Sequence, residues 1–145
     1  MATIWIINGP NLNMLGVREP QIYGSTSLEE INADLQVRAD EAGIDLEFFQ
    51  SNHEGELIDK IHKAYGLVDC IIINPGAYSH YSIALYDALK TVQIPVIEVH
   101  LSNIYSRESF RHRSLISPLA MGGIFGLGTL GYRLALEAAK QMVKS

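Results

Sequence analysis

One cysteine, Cys70, stands in 145 residues, so no internal disulfide can form and a reducing cytoplasm is the expected setting. Positive charge is scarce: 11 Lys and Arg face 16 Asp and Glu, for a formal charge of −5. Nucleic acid and anionic membrane surfaces both demand a basic face, so neither is the expected partner. No apolar run approaches the ~20 residues that a membrane helix needs. Met1-Ala2-Thr3 leads straight into a strand-like segment, with no basic stretch and no cleavage region, and no signal peptide is expected. Repeats, low-complexity tracts and linkers are also missing, which leaves one domain over 1–145.

Several catalytic routes lack their parts. Schiff-base chemistry needs a desolvated lysine, but Lys60, Lys63, Lys90, Lys140 and Lys144 fall on expected helices or the tail, none at a strand end. A nucleophile elbow needs Gly-x-Ser-x-Gly, which is absent. Neither His-Glu-x-x-His nor Cys-x-x-Cys occurs, so no metal ligand set is expected. Cys70 sits in an apolar run and reads as a core thiol. Gly126-Leu-Gly-Thr-Leu-Gly131 has the spacing of a dinucleotide fingerprint, but that motif requires a second strand ending in an acid about 20 residues later. The sequence ends at Ser145 without one, and the glycines read as a tight turn and close helix-to-sheet packing.

What is present alternates. Strands are expected at Thr3–Asn8, Asp45–Gln50, Cys70–Asn74, Pro95–His100 and Gly122–Phe125. Helices are expected from the capping box Ser27-Leu-Glu-Glu30 to near Gly43, then over Glu54–Tyr65, Ser82–Val92 and Thr129–Val143. Strand–helix alternation throughout implies a five-stranded parallel sheet between two helix layers, a three-layer α/β sandwich in flavodoxin-like order.

Ligands of such sheets sit beyond the carboxyl ends of the strands. There the chain places Asn8-Gly-Pro-Asn-Leu-Asn13, Asn74-Pro-Gly-Ala-Tyr-Ser-His80 and His100-Leu-Ser-Asn103. The first loop, Gly9 to Thr26, far exceeds the usual ~2–6 residues of such a connection and reads as a lid carrying Arg18 and Tyr23. Arg107, Arg111, His112 and Arg113 follow the fourth strand. With Arg18, His80 and His100 they suit a small anionic substrate, although some of these arginines, Arg113 above all, are expected to pair with surface acids such as Glu19 and Glu108. What remains is acid–base chemistry by Tyr23, His80 and His100. A tyrosine is a poor base near neutrality unless cations stabilise its phenolate, and Arg18 and Arg107 are the candidates. Glu98, on the same strand face as His100, is placed to orient it.

Five separated segments carry a family resemblance: Asn8–Asn13, Gly16-Val-Arg-Glu-Pro20 with Tyr23-Gly24, Asn74–His80, Glu98-Val-His100 with Ser102-Asn103, and Arg107-Glu-Ser-Phe-Arg-His112. In this order they resemble the type II 3-dehydroquinate dehydratases over essentially the whole length. The resemblance implies a hydro-lyase that turns 3-dehydroquinate into 3-dehydroshikimate through an enolate, with neither metal nor organic cofactor. It implies Tyr23 as base, Arg18 and Arg107 as supporting charge, Asn11 as holder of a water for the enolate oxygen, and His100 as acid. Asn74, His80 and Arg111 would take ring hydroxyls, and Leu101 and Ser102 the carboxylate. Asp87 would reach a neighbouring subunit's site, in a homododecamer built as a tetramer of trimers. Tyr105-Ser106 stands where many relatives carry His-Ala, and Arg113 where many carry a second His. Neither departure falls on a catalytic position.

Overall fold

A computed structural model describes residues 1–144. Five parallel strands form its sheet: β1 (Thr3–Asn8), β2 (Asp45–Gln50), β3 (Cys70–Asn74), β4 (Val96–His100) and β5 (Gly122–Phe125), in the order β2-β1-β3-β4-β5. This is the expected flavodoxin-like order. The helices are α1 (Pro20–Tyr23), α2 (Leu28–Ala42), α3 (Glu54–Ala64), α4 (Ile83–Val92) and α5 (Leu130–Lys144). Ser27 caps α2, its Oγ accepting the Glu30 N–H, and Ser82 caps α4 in the same way through Leu85.

Alternate strand residues feed two cores, because successive side chains leave a strand on opposite faces. Ile4, Ile6, Ile72, Ile97 and Val99 pack under α2 and α5. Trp5, Ile7, Ile71, Ile73 and Val96 pack under α3 and α4. Both faces are therefore dry, which explains the unbroken apolar runs of β1 and β3.

Two expectations need correction. Alternation does not hold throughout: β4 reaches β5 through 3-10 turns at Ile104–Ser106 and Ser109–Arg111 and an irregular stretch, with no α-helix. The fully buried Ile116 anchors that stretch to the α3/α4 side of the sheet. The long first loop also has structure of its own, a 3-10 turn at Leu12–Met14 and the single turn α1. Pro20 starts α1 and Gly24, at φ +84°, ends it.

Register sets the strand ends. Asn8 is level with Gln50 on one side and Asn74 on the other. The order reverses between β1 and β3, and there the two following loops meet. The Gly9 N–H donates to the Asn74 carbonyl at 2.8 Å, and a Cβ on Gly9 would lie 2.5 Å from the Pro75 carbonyl oxygen. Only glycine permits this approach.

Candidate active site

Below the switch point a buried tyrosine ties the sheet together. Tyr132 of α5 donates its hydroxyl to Asn8 Oδ1 at 2.5 Å and accepts from Asn74 Nδ2 at 3.0 Å. Burial pushes this phenol far above its ordinary value, so it stays neutral. The side-chain oxygen Oδ1 of Asn74 accepts the Gly76 N–H at 3.2 Å, so its amide braces the loop as it lines the cleft. From β2, Gln50 donates to the Gly9 carbonyl, and Asn52 accepts the N–H of Asn11, a residue at φ +69°.

Above these braces lies a cleft of about 230 Å³. The first loop supplies Asn11, Arg18 and Tyr23 to it, and the loop after β3 supplies Asn74 and His80. The end of β4 and its crossover supply His100, Leu101, Ser102, Arg107 and Arg111. Every expected site residue but one therefore lines a single cleft. The exception, Asp87, is exposed on α4 and lies outside this cleft.

Two guanidinium groups flank the half-buried Tyr23 ring, with Arg18 Cζ 4.9 Å and Arg107 Cζ 5.2 Å from its centroid. Arg107 also donates to Ser102 Oγ at 3.1 Å, fixing its position by the cleft floor. The pairing expected of the arginines occurs at Glu19 and Glu108, but not at Arg113. Arg18 meets Glu19, and Arg107 and Arg111 meet Glu108. Among the described residues no ion pair includes Arg113, which instead offers its backbone carbonyl to His80 Nδ1 at 2.8 Å.

The histidines differ in charge environment. His80 is held below its ordinary value, first by burial and then by the charges of His100 and Arg111, against the pull of its bond to Arg113. It is neutral at pH 7, with Nδ1 as the donor and Nε2 left as an acceptor. Its ring stacks near that of His100, centroids 6.3 Å apart. His100 Nε2 donates to Glu98 Oε2 at 2.6 Å, which leaves Nδ1 for proton exchange. Glu98 is 3% exposed, and burial alone would favour its neutral form. The His100 ring, then Ser117 and Ser114, outweigh burial and hold the carboxyl below its ordinary value.

The glycine-rich turn before α5 holds no open phosphate cradle. The Gly126 and Gly128 N–H groups donate to the carbonyls of His100 and Leu101, at 3.2 and 2.9 Å. A Cβ on Gly131 would rest 3.4 Å from Ile124 and 3.5 Å from Val99, which is the close helix–sheet packing expected of it. Among the described residues no group of three or more His, Cys, Asp or Glu is arranged to hold a metal ion, and no helix is long and apolar enough to cross a membrane.

Sequence reasoning passed over Tyr132, Gln50, Asn52, Ser114 and Ser117. Tyr132 left a trace, as a tyrosine in the buried stripe of a helix whose hydroxyl needs a partner. The others look like ordinary turn residues.

The family model for dehydroquinase class II matches residues 2–140. A 3-dehydroquinate dehydratase of Caldicellulosiruptor bescii is 57% identical over 144 residues, covering 99% of either chain. A catabolic 3-dehydroquinase 2 of Aspergillus terreus is 54% identical, again covering 99% of each chain. The crystal structure of a type II dehydroquinase from Butyrivibrio crossotus has a TM-score of 0.93 at 48% identity, over 95% of this chain and 97% of that one. The chain belongs to the class II dehydroquinase family.

Proposed function

We propose that this enzyme eliminates water from 3-dehydroquinate, in the anti sense and through an enolate, to give 3-dehydroshikimate. One observation carries the reading. A single cleft is lined both by a tyrosine between two guanidinium groups and by a histidine backed by a buried carboxylate. Elimination next to a ketone needs a base for the carbon-bound proton and an acid for the departing hydroxyl.

Tyr23, as phenolate, takes the proton, and the charges of Arg18 and Arg107 favour that anion. The electrons move into an enolate, whose oxygen is met by a water that Asn11 holds. His100 gives a proton from Nδ1 to the hydroxyl, which leaves as water. Neutral His80, with Asn74 and Arg111, binds ring hydroxyls, and Leu101 and Ser102 receive the carboxylate. The lid, Arg18 to Gly24, closes to exclude water. No step calls for a metal or organic cofactor.

The active form in this reading is a homododecamer, a tetramer of trimers, in which Asp87 contacts the next subunit's site. The exposed apolar side chain of Ile83, one helical turn from Asp87, suits such a contact. A reducing cytoplasm suits the buried Cys70 thiol, which desolvation and then Asp69 push up to about 12. The same reaction serves the shikimate pathway or quinate breakdown.

Incubation with 3-dehydroquinate tests the function directly. Growth of the product's conjugated-enone absorbance is expected. Its absence with purified, folded oligomer contradicts the reading.

A further inference from the structure

Glu98 is bonded at both oxygens. His100 Nε2 and Ser114 Oγ donate to Oε2, at 2.6 and 2.7 Å, and Ser117 Oγ donates to Oε1 at 2.5 Å. Both serines belong to the crossover that joins β4 to β5 without a helix. Ser114 Oγ accepts the N–H groups of Ile116 and Ser117, at 3.1 and 3.2 Å, which directs its own proton to the carboxylate. The buried Ile116 between them pins the segment against the sheet.

We propose that Ser114 and Ser117 are positioning residues for the reaction: their two hydroxyls keep Glu98 an anion, so that His100 holds the shared proton on Nε2 and, as an imidazolium, gives up its Nδ1 proton. The inference rests on the reading of His100 as the acid.

The pair has two places for one proton. On the ring, with Glu98 ionised, it makes Nδ1–H an imidazolium acid. On Glu98, it leaves a neutral imidazole, which gives up Nδ1–H far less readily. Burial favours the second arrangement, because it penalises charge. Hydrogen bonds to the carboxylate favour the first. On the cleft side the charged and titratable neighbours are His80, Arg107, Arg111, Arg18 and Tyr23, none of which is acidic. Glu108 pairs outward with Arg107 and Arg111. Toward β5, a second cavity meets Glu98 and His100, and Tyr105 is its other titratable side chain. The serines are thus the hydroxyl donors that hold the charge on Glu98.

Ser117→Ala is the cleaner variant, because the Ser114 hydroxyl also closes its own turn. Loss of a hydrogen bond to a buried charge is expected to lower kcat by about tenfold with KM within about twofold. The basic limb of the kcat–pH profile moves to higher pH, since a carboxylate with one donor fewer binds the shared proton more tightly. Ser117→Thr restores kcat and limb. A folded Ser117→Ala enzyme with kcat and limb unchanged overturns the proposal, as does a loss that follows thermal stability with the limb unmoved. His100→Asn, assayed alongside, separates the two readings. Retained turnover there overturns the acid assignment and the serine clamp with it. Collapse there, beside an unchanged Ser117→Ala, overturns the clamp alone.

Discussion

The two ends of the proposed proton transfer are built in opposite ways. His100 closes a strand whose residues are all buried, with a buried carboxylate at 2.6 Å and two serines behind it. Tyr23 ends a single helical turn in a long loop, where no residue of the turn is buried and its guanidinium neighbours bear on the ring face. In the proposed mechanism the acid is part of the scaffold and the base rides on a lid. A fixed group can rely on packing to stay oriented, whereas a delivered one depends on charge that assembles when the lid closes.

Removing the delivered group breaks this contrast most severely. Tyr23→Phe is expected to cost at least about a thousandfold in kcat while substrate still binds, since the base itself is gone. Near-normal turnover in steady-state assays would exclude Tyr23 as base. Arg18→Ala comes next, at roughly a hundredfold in kcat, as one of the two guanidinium charges beside the Tyr23 ring is lost. An effect on KM alone would make Arg18 a binding residue only.

The fixed end responds in stability as well as in rate. Glu98→Gln is expected to lower kcat by about tenfold and to cost on the order of 2 kcal/mol near neutral pH, because three hydrogen bonds to a buried charge are altered. The Glu98 carboxyl is held below its ordinary value in the fold. Its contribution is therefore present above the unfolded-state value of about 4.3 and is lost as pH falls through the folded one. The stability gap between wild type and Glu98→Gln should narrow as pH drops below about 4 in denaturant titrations. A gap constant with pH would mean that the carboxylate is not stabilised in the fold. Smallest of all, borohydride with substrate should leave activity intact, since among the described residues no lysine lines the cleft. Covalent inactivation would overturn the acid–base mechanism.

The same contrast governs what could be read in advance. Each strand and its carboxyl end follow from local apolar runs and the polar residues after them, so the sheet and the loops of the cleft were legible. Tyr23 and Arg18 were legible because a loop of that length carrying them is unusual. The braces were not. Tyr132 meets Asn8 across 124 residues, and Ser114 and Ser117 meet Glu98 across 16 and 19. No periodicity reports contacts of that kind. The missing helix between β4 and β5 has the same origin: Ile116 and the serines bind to the sheet, and that attachment replaces helical hydrogen bonding. Arg113 was paired with acids on composition alone, and tertiary structure took its carbonyl instead.

Amide hydrogen exchange, with and without 3-dehydroquinate, tests the division between fixed acid and delivered base most directly. Slow exchange over Val96–His100 in both states, with protection gained over Arg18 to Gly24 only on binding, is the predicted result. Equal and unchanged protection of the two segments would contradict it.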